Sequence, residues 1–393
     1  MKIKDLLQLC IDKKASDLII TANTPPILRK DGEVIRADHE ALTPAKTKEL
    51  IEELLSVANK EAFVKEKELD FSFEFPGVSR FRVNVYLQKS TMAATFRAVP
   101  LEVPTLASLG LPPVLKEIAA MPRGLVLVTG PAGCGKSSTL AAIINHINKT
   151  RKCHIITIED PIEFVHKNLE SIIEQRELNI DTDSFVGALK HVVRQSPDVI
   201  LVGEMRDLET ITTAVTAAET GHLVLGTLHT IDAPQSVSRI VDVFPTGQQE
   251  QIRTQFAGSL LAVISQQLLP RKDGEGRVPA VEVLINTPGI RAQIMHNDIH
   301  QIPLHIHTGR DVGMISMNRS LKALVDKGIV DLEVAANRSY SPTEFKRLFL
   351  RYSSYKAKNA RAMFAGLLKL MFRRKFLLFL SIKYSMYKSR QET

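Results

Sequence analysis

Residues 130–137, Gly130-Pro131-Ala132-Gly133-Cys134-Gly135-Lys136-Ser137, fit the pattern G-x-x-x-x-G-K-[ST] at every required position. The chemistry served by that spacing is a grip on a polyphosphate. Glycines let main-chain amides come close to a phosphate, and the N-terminus of a following helix favours its negative charge. Lys136 is spaced to reach the β- and γ-phosphates, and Ser137, followed by Ser138, to ligate Mg²⁺. The reading is a nucleoside triphosphate site, with Mg²⁺ carried by the nucleotide.

Hydrolysis at such a site also needs carboxylates at the ends of neighbouring strands. Two stretches offer them. Ile155–Glu163, IITIEDPIE, runs an apolar strand into Glu159, Asp160 and then Glu163. Asp198–Asp207, DVILVGEMRD, ends a second strand at Gly203-Glu204, with Gly203 where an aspartate usually stands. Glu163 and Glu204 are both candidates to orient the attacking water. His222 and His229 bracket a third apolar strand in GHLVLGTLHT. His229 falls at that strand's C-terminal end, where a γ-phosphate could be sensed. No carboxylate completes a ligand set with these histidines, so the only metal expected is Mg²⁺ on Ser137.

The elements that must position these residues follow from periodicity. Gly124–Thr129, His154–Ile158, Asp198–Val202 and Leu223–Gly226 are continuous apolar runs separated by helical segments, including Lys136 to about Asn148. That alternation predicts a parallel α/β sheet. Ligands in such sheets lie outside the carboxyl ends of the strands. Residues 1–100 read differently, as a small α+β domain. Ile3, Leu6, Leu7 and Ile11 mark a first helix, and Leu18–Ile20 and Ile27–Ile35 short strands that turn at Asp31-Gly32. Thr43 caps a helix from Pro44 to about Val57. Phe71, Phe73, Phe75 and Phe81, Val83, Val85 alternate as a hairpin turning at Pro76-Gly77. A proline-bearing connector, 101–115, leads to the core at 116–288, and 289–345 reads as helical.

The 393 residues carry a net charge of +8, but unevenly. Lys346–Thr393 holds 13 Lys and Arg against the single acid Glu392, leaving 38 bases and 42 acids elsewhere. A mildly acidic body argues against nucleic-acid binding, and no nucleic-acid partner is expected. In the tail, Phe364, Leu367, Leu368, Met371 and Phe372 share a helical face with Arg361, Lys369 and Arg373 interleaved, a pattern suited to an anionic membrane surface. No apolar run approaches the roughly 20 residues of a membrane span. The charged N-terminal stretch has no secretion-signal core. Three cysteines cannot build a disulfide framework.

GPAGCGKSS, IITIEDPIEF, DVILVGEMRD and TGHLVLGTLHT, in this order and spacing, resemble the secretion ATPase superfamily, and within it the type IV pilus retraction (twitching motility) branch. KASDLIITANTPPILRKDGEV resembles that branch's PAS-like N-terminal domain. The resemblance spans residues 1–345 and implies a RecA-like P-loop ATPase domain with a helical C-terminal part. It further implies a homohexameric ring with ATP between the domains, cytoplasmic and peripheral to the inner membrane, working on a pilus platform protein. It makes Lys136 and Ser137 the Walker A pair and Glu204 the Walker B glutamate. Glu159, Asp160 and Glu163 become an acidic box with Glu163 at the catalytic-base position, and His222 and His229 a histidine box. Arg80, Arg82 and Arg97 match arginines that neutralise phosphate charge, with Arg194 and Arg206 ranked lower. The four-cysteine zinc module of assembly-type members is absent. Gly289–His296 keeps only the Ile290-Arg291 pair of the branch's AIRNLIRE-like helix, so a paralogous pilus ATPase that assists the retraction motor, or another secretion-system ATPase, fits as well.

Overall fold

In the computed structural model, residues 2–340 are described apart from 31–32, 76–77 and 100–101, with five further positions between 342 and 349. The two expected turns and nearly all of the basic tail lie outside the described residues. Contacts divide the chain into two compact units, Met1–Leu268 with Val278–Ser316, and Leu269–Arg277 with Met317–Thr393.

The first unit opens with α1 (Ile3–Asp12), whose buried stripe is Ile3, Leu6, Leu7 and Cys10, with Ile11 only half-buried. Strands β1 (Asp17–Ile20), β2 (Ile27–Lys30) and β3 (Glu33–Arg36) follow. The expected single helix after Thr43 is instead two. α2 (Pro44–Glu52) starts on the Thr43 hydroxyl, and α3 (Val57–Glu66) starts afresh on Ser56, whose Oγ accepts from Asn59 N at 3.1 Å. β4 (Glu68–Phe75) and β5 (Ser79–Gln88) are the expected hairpin, and β6 (Thr91–Ala98), which periodicity did not flag, inserts beside β1. The antiparallel sheet runs β3-β2-β1-β6-β5-β4. One face buries Leu18, Phe81, Val83 and Phe96 against α1 and α2, each such side chain worth about 2 kcal/mol. On the other face, register aligns Ser72, Arg82, Arg97 and Asp17 in one row across four strands.

After α4 (Val114–Ala119) come β7 (Gly124–Thr129), α5 (Lys136–Thr150), β8 (His154–Glu159), β9 (Ile172–Glu177), α6 (Phe185–Val192), β10 (Val199–Val202), α7 (Leu208–Glu219) and β11 (Leu223–Leu228). α8 (Ala233–Asp242), α9 (Gln249–Ser259), β12 (Leu260–Pro270), β13 (Arg277–Ile285), α10 (Pro288–Met295) and α11 (Ile302–Thr308) complete the α/β core. The seven strands lie in the order β13-β12-β7-β11-β10-β8-β9, parallel from β12 through β9. β7 is an interior strand, and apolar clusters cover both faces of the sheet, which is why β7, β8, β10 and β11 are largely apolar runs. The connector is packed down, Leu106 and Leu111 being buried and Asn145 Nδ2 donating to Pro104 O at 3.0 Å.

In the second unit, α12 (Met317–Asp326) buries Met317 and Leu321, and α13 (Leu332–Arg338) follows. Lys272 pairs with Asp331 at 2.9 Å, and the Phe345 and Phe349 rings meet edge to face at 5.4 Å. Among the described residues no helix is long and apolar enough to cross a membrane.

Candidate active site

The turn between β7 and α5 takes its shape from glycines in the left-handed region, with φ of 144° at Gly130, 72° at Gly133 and 89° at Gly135. A Cβ at Gly130 would stand 2.5 Å from Gln266 O and 2.6 Å from Cys134 Sγ, so no larger residue fits there. Pro131, Ala132 and Gly133 are exposed, whereas Cys134 is buried and its thiol pushed up by burial. Lys136 Nζ donates to Gly130 O at 2.9 Å and Pro131 O at 3.2 Å, so the ammonium lies over the loop. Ser137 and Ser138 open α5, half-buried. This cradle fits a polyphosphate. Among the described residues no His, Cys, Asp and Glu cluster could hold a metal by itself, so Mg²⁺ would draw most of its ligands from phosphate and water.

Parallel register brings the other candidates to the same edge of the sheet. Val202 lies opposite Ile158, so Gly203 and Glu204 continue level with Glu159 and Asp160. Leu228 lies opposite Thr129, so His229 is level with Gly130. A Cβ at Gly203 would be 3.0 Å from Ile158 O, which accounts for glycine where an aspartate was the usual expectation. Glu204 pairs with His229 Nε2 at 2.8 Å and with Arg206. Burial pushes the Glu204 carboxyl up, but Arg206 and His229 outweigh it and hold the group below its usual value. Asp160, exposed, adds to the negative field around Arg206.

Glu159 stands in the opposite setting. Its carboxylate accepts from Thr157 Oγ1 at 2.6 Å, from Gln175 Nε2 at 3.0 Å and from the Glu163 amide, yet burial pushes it up. Glu163 itself is exposed, two residues beyond the cis Asp160–Pro161 peptide.

Four candidates are not brought to this edge in the same way. His222 precedes β11 by one residue, and its Nδ1 lies 2.9 Å from Ala217 O. A six-residue strand separates it from His229, roughly 20 Å at 3.3 Å per residue. Arg194 is exposed between α6 and β10, also at the far edge. Arg97 pairs with the buried Asp17 at 2.9 Å, while its neighbour Arg82 is exposed on the same row.

Arg80 is engaged with the core. Its Nη2 meets Glu177 Oε2, at the end of β9, at 2.6 Å. Glu177 is only 4% exposed and also accepts from Ser72 Oγ and from the Ile162 amide at 3.2 Å. The first sheet is thereby fastened to the loop that carries Glu163. Sequence reasoning missed Glu177, which looks like any strand-end acid. It also missed Gln266, although two glutamines inside the apolar run LLAVISQQLL signal buried hydrogen bonds.

Comparison with known proteins agrees with this arrangement. The family model described as "Type II/IV secretion system protein" matches residues 96–324, more than half of the chain, and the chain belongs to that family of secretion ATPases. It is 46% identical over 345 residues to the type IV pilus retraction ATPase PilT of Pseudomonas aeruginosa, covering 88% of this chain and 100% of that protein. It is 37% identical over 367 residues to the type IV pilus ATPase PilU of the same organism, covering 93% and 96%. A match of that extent necessarily enters residues 346–393. The crystal structure described as the pilus retraction motor PilT with bound ADP aligns with a TM-score of 0.83 at 45% identity, over 88% of this chain and 99% of that one.

Proposed function

We propose that this chain is one subunit of a hexameric motor that hydrolyses ATP to retract type IV pili. The observation that carries the reading is the assembly of the phosphate loop, Glu159, Asp160, Glu204 and His229 at one edge of a parallel sheet. Similarity over nearly the whole chain to a retraction ATPase gives that assembly its direction. We read residues 1–100 as PAS-like, 101–115 as linker, 116–288 as a RecA-like P-loop core, and 289–345 as a helical region. The protein then sits in the cytoplasm, peripheral to the inner membrane, against a membrane-embedded platform protein, with the basic tail on anionic lipid.

In this reading residues 130–138 hold the phosphates and Lys136 exchanges its loop carbonyls for phosphate oxygens. Ser137 would hold Mg²⁺, which neutralises charge on the β- and γ-phosphates. Glu204, kept ionised by Arg206 and His229, orients water, with exposed Glu163 as the alternative base. Arg82 and Arg97 carry positive charge on an exposed sheet face, and Arg80 joins them only by leaving Glu177. His222, at the far edge of the sheet, serves the nucleotide only across a subunit boundary.

A second reading, an accessory paralogue of the retraction motor, is favoured by the PilU match, which enters the tail, and by the altered Gly289–His296 helix. Phosphate release and solution mass of the purified full-length protein separate the two. Turnover in a hexamer, abolished in Lys136→Ala, supports the motor. A hexamer without turnover supports the accessory subunit. Wild-type turnover in Lys136→Ala overturns both.

A further inference from the structure

Gln266 lies on β12, which pairs with β7 so that Ser265 is opposite Thr129 and Gln266 follows level with Gly130. It is 1% exposed, on a strand whose buried residues are mostly apolar. Its Nε2 donates to Cys134 O, inside the phosphate loop, at 2.7 Å. Its Oε1 accepts from Thr139 Oγ1, in the first turn of α5, at 2.9 Å. The carboxamide orientation follows from chemistry, because a carbonyl only accepts and the end facing Cys134 must therefore be the NH₂. The backbone oxygen of Gln266 also lies 2.5 Å from where a Gly130 Cβ would stand, and its Nε2 3.2 Å from that of Gly135. One side chain and its own carbonyl thus meet the loop near its start, at its end, and at the helix it feeds.

We infer that Gln266 is a positioning residue for the nucleotide. Its carboxamide ties Cys134 to Thr139 and sets the loop's curvature before any phosphate arrives. The physical basis is preorganisation. A loop already held in its binding shape loses less conformational freedom when a ligand orders it. Gln266 acts through the loop and makes no phosphate contact of its own. This inference rests on the nucleotide-binding reading above.

The test is titration of the full-length protein with Mg-ADP, alongside thermal denaturation without nucleotide. Wild type must bind and Lys136→Ala must bind weakly, or the nucleotide reading itself fails. Given that, Gln266→Leu should weaken ADP about tenfold or more, because the buried Cys134 carbonyl loses its donor. Gln266→Glu supplies a readout that a space-filling role would not move. Ionised, it keeps the acceptor for Thr139 but has no proton for Cys134 O, whereas protonated it regains a donor. Its ADP affinity, relative to wild type at each pH, should therefore recover as pH is lowered. Should Gln266→Leu fail to fold, Thr139→Val frees the carboxamide from the other side and should weaken ADP several-fold. Folded Leu and Glu variants that bind ADP like wild type at every pH overturn the inference. Should Gln266→Leu not fold, a Thr139→Val variant and a pH-independent Glu variant, both binding like wild type, do the same.

Discussion

At the end of β8, Glu159 is surrounded by a hydroxyl, a carboxamide and an amide, and burial pushes it up. At the end of the adjacent β10, Glu204 also feels burial, yet a guanidinium and an imidazole hold it down. Both carboxyls emerge from the same edge of one parallel sheet, level to within a residue. Neutral donors leave a buried carboxylate expensive to ionise, whereas cations reverse that cost. A pair of acids separated in this way can divide its tasks, one fixing geometry and the other staying charged for chemistry. On this view Glu159 braces the loop that presents Glu163, and Glu204 serves the reaction.

The sharpest way to break the contrast is to neutralise each acid in turn. Glu204→Gln should lower steady-state turnover about 100-fold or more, the scale of losing a transition-state electrostatic contact, and Glu159→Gln less than about tenfold. Equal losses in phosphate-release assays would erase the distinction. A smaller change sharpens it. Arg206→Ala removes a cation that holds Glu204 down, so the acid limb of the pH–rate profile should move to higher pH, with a modest drop at the plateau. An unmoved limb would remove Glu204 from the groups that limit the rate.

The smallest effect concerns Glu159. Thr157→Val deletes a donor to its carboxylate and should cost about 1 kcal/mol in chemical denaturation. Because the folded value of Glu159 is raised, the deleted contact counts fully only where the group is ionised. The cost should therefore grow as pH rises through that value and fade as pH falls below it. A cost that stays constant from the ordinary carboxylate range up to the alkaline limit of the fold would contradict the assignment.

What could be read in advance follows from the range of the forces involved. β7, its glycine turn and α5 depend on local periodicity and on backbone conformations that the glycines themselves permit, so their place was legible. So was the Glu204 strand, an apolar run ended by a charge. The hidden part is long-range. Glu177 meets Arg80 across 97 residues and Gln266 meets Cys134 across 132, and no local pattern encodes either partner. β6, β9, β12 and β13 went unflagged because their neighbours in the sheet, rather than their own alternation, define them. His222 and His229 bracket β11, as the apolar run between them implied, and only the resemblance groups them as one box.

The junction of Ser72, Arg80 and Glu177 also bears on how such chains can be recombined. Glu177 sits almost fully enclosed between two halves that different relatives could in principle contribute. A hybrid joined between 80 and 177, with an N-terminal half lacking the arginine, would inherit a carboxylate sealed in without its counter-charge, a defect of about 3–5 kcal/mol. The three positions are thus expected to pass through a lineage as one linked set. Crossovers should survive before Ser72 or after Glu177, and the connector, for all its prolines, should be a poor place to cut.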